Sequence, residues 1–174
     1  MHVSAIIAAG GRGQRFGGAS LKQLLLLDGE PILKRSVDAY RSCDLVSDLV
    51  VALPADLVQA PPPYLLGGSK PVTLVAGGAR RRDSVANAFA RVSERAEVVV
   101  IHDAARPLVS DTVIRRTVNA AAESGAAIAA VRAHDTVKRA GADGAITATL
   151  PRDEIFLAQT PQAFRVDVLK AALA

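Results

Sequence analysis

Short, nearly uninterrupted apolar runs alternate with segments of helical spacing, and that rhythm limits the fold of this chain more than any other feature. Runs of strand character cover residues 3–9, 48–53, 71–76, 97–101 and 126–132. They lack the apolar/polar alternation of a half-solvated sheet, which predicts strands covered on both faces. Between them Ile32, Leu33, Ser36, Val37 and Tyr40 share one helical face, as do Val85, Phe89 and Val92. A third set, Val113, Ile114, Val118, Ala121 and Ala122, follows a candidate N-cap at Ser110. Strands alternating with such helices predict right-handed βαβ units. The expected fold is α/β, a mostly parallel twisted sheet flanked by helices.

Two stretches break the rhythm. Residues 54–70 contain Pro61-Pro-Pro63 and Gly67-Gly68 and are expected to form a surface connection. Residues 133–151 hold two β-capable runs around a Gly/Asp turn, which predicts a β-hairpin arm with little core of its own. No repeat or interdomain linker is visible, so residues 1–174 are expected to be a single domain. Half of the residues are hydrophobic and 22% are charged, a globular balance. Aromatics make up only 3%, without Trp, which disfavours stacking platforms for single-stranded nucleic acid. The lone Cys43 excludes an internal disulfide. No apolar run approaches the roughly 20 residues that span a bilayer, and no signal or transit peptide precedes the first strand. These features predict a cytoplasmic protein (plastid, were the source a plant) with neither membrane nor nucleic acid as partner. The net charge of +4 suits an anionic ligand without identifying one.

Candidate chemistry gathers where the strands end. The first strand runs into Ala8-Ala-Gly-Gly-Arg-Gly-Gln-Arg-Phe-Gly-Gly18, with Lys22 shortly after. Glycines there let backbone N–H groups approach an anion. The spacing fits neither the Walker A loop nor the dinucleotide fingerprint. A tight turn with solvated basic residues and a polyphosphate cradle both remain open. The third strand ends in Ala76-Gly-Gly-Ala-Arg-Arg-Arg-Asp-Ser-Val85, where arginines at a helix N-terminus oppose its dipole and hint at a function for at least one. The fourth ends in Ile101-His-Asp-Ala-Ala-Arg-Pro107. Asp103 suits Mg²⁺ or a turn cap there, and Arg106 a phosphate or a surface ion pair. His102 reads as a packed or backbone-bonded histidine, since no zinc-like spacing surrounds it.

The set Ala-Gly-Gly-x-Gly-x-Arg…Lys-Gln, Gly-Gly-x-x-Arg-x-x-Ser-Val, His-Asp-Ala-Ala-Arg-Pro, Asp-Thr-x-Lys and Gln-Thr-Pro-Gln resembles the 2-C-methyl-D-erythritol 4-phosphate cytidylyltransferases. That family joins CTP to methylerythritol phosphate in the non-mevalonate isoprenoid route. The motifs follow family order from residue 3 to residue 164, the most specific being His102-Asp-Ala-Ala-Arg-Pro107 and Gln159-Thr-Pro-Gln162.

The resemblance implies a Rossmann-like nucleotidyltransferase. Arg15 and Lys22 would act on the triphosphate as the catalytic pair. Ala9, Gly10, Gly11 and Gly13 would shape the CTP pocket, with Gly78, Arg81 and Ser84 completing the nucleotide site. Asp103 would hold Mg²⁺. Arg106, Thr136 and Arg152 would bind the polyol phosphate, some from a partner subunit, because the arm interlocks two copies in the family. Departures are Leu21 in place of a Pro and Gly10 in place of an Ala. Family members also continue for several dozen residues past Thr-Pro-Gln, with a further substrate-side lysine. This sequence ends at Leu169-Lys-Ala-Ala-Leu-Ala174, so that C-terminal segment is absent and low activity is expected. A cytidylyltransferase for another polyol phosphate, such as ribitol 5-phosphate, and a non-catalytic nucleotide-binding module stay open as alternatives.

Overall fold

The computed structural model describes residues 1–11 and 21–174. The elements in chain order begin with β1 (Val3–Ala8), a two-residue ribbon of β2 (Leu26–Leu27) and β3 (Glu30–Pro31), α1 (Ile32–Ser42) and β4 (Val46–Leu53). Next come α2 (Ala55–Gln59), β5 (Val72–Ala76), α3 (Arg81–Phe89), β6 (Val98–Asp103), α4 (Asp111–Ser124) and β7 (Ala126–Arg132). The chain finishes with β8 (Lys138–Ala140), β9 (Ile146–Thr149), β10 (Phe156–Arg165) and α5 (Val166–Leu173).

Among the described residues the main sheet runs in the order β5-β4-β1-β6-β10-β7. The β1 strand pairs in parallel with β4 and β6, and β4 with β5, so the predicted α/β layering is present. The strand β10 is antiparallel to both β6 and β7. It was not expected, because Gln159, Thr160, Gln162 and Arg165 interrupt its apolar pattern.

Alternation along the buried strands divides the core between the two faces. Ala5, Ile7, Leu49, Val51 and Val100 join the cluster under α1 and α4. Ile6, Val50, Ala52, Val99 and Ile101 join the one under α3 and α5. Each fully buried Val, Leu or Ile side chain contributes about 1.5–3 kcal/mol, which makes β1 and its two neighbours the rigid base on which the loops stand. Helix α4 begins as predicted, with Ser110 Oγ accepting from the Val113 N–H at 3.4 Å, and stops at Gly125, whose φ is +90°.

Three expectations need correction. Residues 54–70 are not merely a connection: they hold α2 and a 3-10 turn at Pro63–Leu65 that buries Leu65. Helix α3 ends before Val92, although that side chain still packs in one cluster with Val85 and Phe89, and Val113 on α4 is 37% exposed. The β7 strand is not covered on both faces, since Ile128 and Val131 are each about half exposed at the sheet edge. The predicted hairpin arm is present as β8 and β9, which pair only with each other among the described residues.

Candidate active site

The order of strands explains why loops distant in sequence converge. From β1 the chain moves to β4 and β5 on one side, then crosses to β6 on the other. That reversal leaves a crevice at the carboxyl ends of β1 and β6, where ligands of open α/β sheets bind. Ala8 lies opposite Asp103 in register, and the Ala104 N–H donates to the Ala8 carbonyl at 3.1 Å. Ala9 is buried at this junction. The Gln23 amide donates to the Ala9 carbonyl at 2.9 Å and fastens the 3-10 turn Lys22–Leu24 beside the end of β1. Lys22 therefore sits in the chain next to the crevice. Gly13 and Arg15 fall outside the described residues.

Two glycine loops touch backbone to backbone. A Cβ on Gly77 would stand 2.7 Å from the Gly10 Cα, and one on Gly10 would stand 2.9 Å from both the Gly77 Cα and Ser84 Oγ. Gly11, by contrast, is exposed, and among the described residues nothing lies within 4 Å of where its Cβ would stand. The Gly78 N–H donates to Ser84 Oγ at 3.0 Å, and that hydroxyl donates in turn to the Arg80 carbonyl at 3.4 Å. Ser84 thus binds its own loop together from a buried position, instead of projecting a free hydroxyl.

The three arginines at the start of α3 part company. Arg80 and Arg82 lie at 3.3 and 3.5 Å from Asp83, whose carboxylate also accepts the Arg80 N–H. These contacts, the Arg80 side-chain bond first among them, hold the Asp83 carboxyl below its ordinary range. Arg81 turns the other way. Its Nε donates to Asp103 Oδ1 at 2.7 Å and its terminal amine to Gln162 Oε1 at 3.3 Å. Arg106 approaches the second oxygen of Asp103 at 3.6 Å. One carboxylate thus meets two guanidinium groups on a half-exposed surface, and the cluster keeps positive charge for an anionic ligand.

Beneath it His102 is fully buried and packs against Tyr40 in a tilted pair, with ring centroids 5.0 Å apart and planes 46° from parallel. Burial pushes its pKa down to about 4, so the ring is neutral at physiological pH. Its Nε2 lies 3.0 Å from the Arg106 carbonyl and its Nδ1 3.0 Å from Thr160 Oγ1. The expected packed or backbone-bonded histidine is therefore both, and Thr160 is a second polar partner of the ring.

Thr136 and Arg152 stand elsewhere. Both are exposed at the base of the arm, where Arg152 donates to the His134 carbonyl at 3.3 Å. Arg152 is thereby tied to the arm and not to Asp103 or Arg106. Thr160 and Gln162 lie in the Gln-Thr-Pro-Gln motif, Gln23 in Lys-Gln and Ser36 on the apolar face of α1, and their bonds give each of them a supporting role that the motifs alone do not specify. Ser36 anchors the turn after β6 from α1, donating to the Ala104 carbonyl at 2.8 Å. Such partners have no local signature, because each acts on a residue many positions away.

A divalent ion fits this donor set in one way. Among the described residues no group of three or more His, Cys, Asp or Glu could enclose a metal. Asp103 offers a single hard carboxylate, which suits Mg²⁺ completing its shell with phosphate oxygens and water. No helix among the described residues is long and apolar enough to cross a membrane.

The chain is similar over nearly its whole length to proteins of one family. The family model described as IspD, 2-C-methyl-D-erythritol 4-phosphate cytidylyltransferase, matches residues 3–174. A protein of that name from Symbiobacterium thermophilum is 43% identical, over 98% of this chain and 71% of its own length. One from Frankia casuarinae is 46% identical, over 99% of this chain and 64% of its own. The crystal structure of the Thermus thermophilus protein of the same name superposes with a TM-score of 0.76 at 32% identity, covering 99% of this chain and 74% of that one.

Proposed function

The chain belongs to the 2-C-methyl-D-erythritol 4-phosphate cytidylyltransferase family, and from that membership we propose that it transfers a cytidylyl group from CTP to 2-C-methyl-D-erythritol 4-phosphate, forming the CDP-alcohol and pyrophosphate. The observation that carries the reading is the meeting of Gly10, Gly77, Arg81 and Asp103, from three separate strand ends, at one rim of the sheet.

In this reaction a phosphate oxygen of the polyol phosphate attacks the α-phosphorus of CTP, and the bond to pyrophosphate breaks. No nucleophilic side chain is required. The protein supplies position and charge as negative charge spreads over the phosphoryl oxygens. The touching loops of Gly10 and Gly77 leave backbone exposed at Gly11 for close approach of the nucleotide, with Gly13 and Gly78 in the same loops. Arg15 and Lys22 flank the triphosphate, and Arg106 takes the phosphate of the second substrate. Arg81 and Ser84 shape the floor of the nucleotide site. Asp103 would hold Mg²⁺, which neutralises phosphate charge when bound. The exposed arm is read as a dimer contact, its Thr136 and Arg152 reaching the polyol phosphate of a second copy. Cytoplasmic placement fits phosphorylated substrates.

A pyrophosphate-release assay with CTP, Mg²⁺ and 2-C-methyl-D-erythritol 4-phosphate tests the reading, with ribitol 5-phosphate as competitor. Release that requires both substrates is expected. CTP binding without release would make the chain a binding module, and preferential turnover of ribitol 5-phosphate would change the acceptor. Light scattering of the arm-deleted chain, expected to be monomeric, tests the dimer.

A further inference from the structure

We propose that Thr160, acting through His102, is a positioning residue that fixes both ends of the turn carrying Asp103 and Arg106. The inference rests on the transferase reading, since it concerns the two side chains assigned there to metal and phosphate.

The hydrogen bonds close in only one direction. The Asp103 N–H donates to Thr160 Oγ1 at 3.3 Å, so this oxygen acts as acceptor on one side. The direction at the ring is set from its far side: the Arg106 carbonyl, 3.0 Å from His102 Nε2, can only accept, so Nδ1 of the neutral ring is left to accept the Thr160 hydroxyl proton 3.0 Å away. With Nδ1 accepting, the remaining ring proton sits on Nε2 and donates to the Arg106 carbonyl at 3.0 Å. The first and last residues of the four-residue turn are thereby joined through two side chains, while the Arg106 N–H closes it internally on the Asp103 carbonyl at 3.0 Å. A cationic ring would send a proton toward Thr160 Oγ1 and leave the threonine proton without an acceptor in this arrangement.

The arrangement also gives β10 a task beyond filling the sheet. Thr160 is buried while Gln162, two residues on, accepts from Arg81 at the surface. The strand therefore reaches Asp103 twice, through its backbone N–H below and through Arg81 at its carboxylate above. Displacing a reacting group by about 1 Å can cost 10²-fold in rate, and loss of a partner behind a metal ligand typically costs 10–100-fold.

The test compares Thr160→Val, which keeps the shape and removes the hydroxyl, with Thr160→Ser, which keeps the hydroxyl. Thr160→Val is expected to lower kcat by about 10–100-fold and to raise the Mg²⁺ concentration giving half-maximal rate, with the KM for CTP little changed. Thr160→Ser is expected to restore most of the rate. Wild-type kcat in Thr160→Val, or equal damage in the two variants, would overturn the proposal. Ring nitrogen NMR of the unmodified chain reads the network without turnover or any variant. A proton on Nε2 and a bare Nδ1 are expected, and a proton on Nδ1 overturns the proposal. If the unmodified chain released no pyrophosphate, the transferase reading would fail. The ring spectrum, with the shift of the Asp103 amide in Thr160→Val, would still decide whether Thr160 holds the turn.

Discussion

Arg81 and Asp103 are 22 residues apart and lie on different strand-end loops, yet the arginine Nε donates to the carboxylate at 2.7 Å while its terminal amine reaches Gln162. One guanidinium thus joins the loop after β5, the end of β6 and the body of β10. Two acceptors at separate positions require a planar fork, which lysine does not have. Arg81→Lys is therefore expected to lower kcat/KM by about tenfold or more, against a loss of stability under about 1 kcal/mol, because exposed pairs contribute little. Steady-state kinetics with thermal melts checks both numbers; wild-type kcat/KM in Arg81→Lys would remove the bridging role.

Lys22→Ala and Arg15→Ala are each expected to reduce kcat by roughly 10²-fold, the usual cost of losing a preorganised charge contact to a reacting phosphate. Single-turnover pyrophosphate release makes the comparison. Turnover within a few-fold of wild type in both variants would refute their assignment as the catalytic pair.

Asp103→Asn keeps the side-chain shape and removes the charge. A rate that rises with Mg²⁺ in the wild type should respond weakly in this variant, and chelation with EDTA should abolish wild-type release. An unchanged Mg²⁺ titration curve would place the ion elsewhere.

Gly77→Ala brings a methyl group to 2.7 Å from the Gly10 Cα, a backbone atom that has nowhere to go. Overpacking of this kind costs about 1–3 kcal/mol. Gly11→Ala, with nothing near its Cβ position among the described residues, should unfold at the wild-type denaturant concentration. Urea midpoints compare the two, and equal midpoints would show that the loops do not pack as described.

The Cys43 side chain is buried, and that burial pushes its thiol pKa further up. Because the thiolate is the reactive form, modification by a disulfide reagent at pH 8 should be slow in the native chain and rapid in denaturant. Immediate native-state labelling would mean that α1 frays at its C-terminus.

The site was partly legible in the residues themselves. The glycine loop, the Gly77-Gly78 turn and the His102–Pro107 segment were recognisable because a glycine-rich turn after an apolar run and a clustered charge at a strand end are local signals. The helix-dipole argument pointed to at least one arginine of the three without saying which, and Arg81 alone of them leaves Asp83 for another loop. What escaped notice was the supporting layer. His102 and Thr160 both lie in specific motifs, but nothing local says that they bond to each other, and β10 does not read as a strand because Gln159, Thr160, Gln162 and Arg165 break its apolar run.

The sequence alone therefore determined β1, β4, β5, β6 and β7 with the helices α1, α3 and α4 between them, and which strand ends gather glycine and charge, since periodicity, glycine placement and charge are properties of neighbours along the chain. Only the tertiary structure decided that β10 inserts antiparallel between β6 and β7, that Gly10 lies against Gly77, and that Asp103 is held by Arg81 and Thr160. Those outcomes depend on which strands pair, and pairing is settled by burial across the whole sheet rather than by any local stretch of residues.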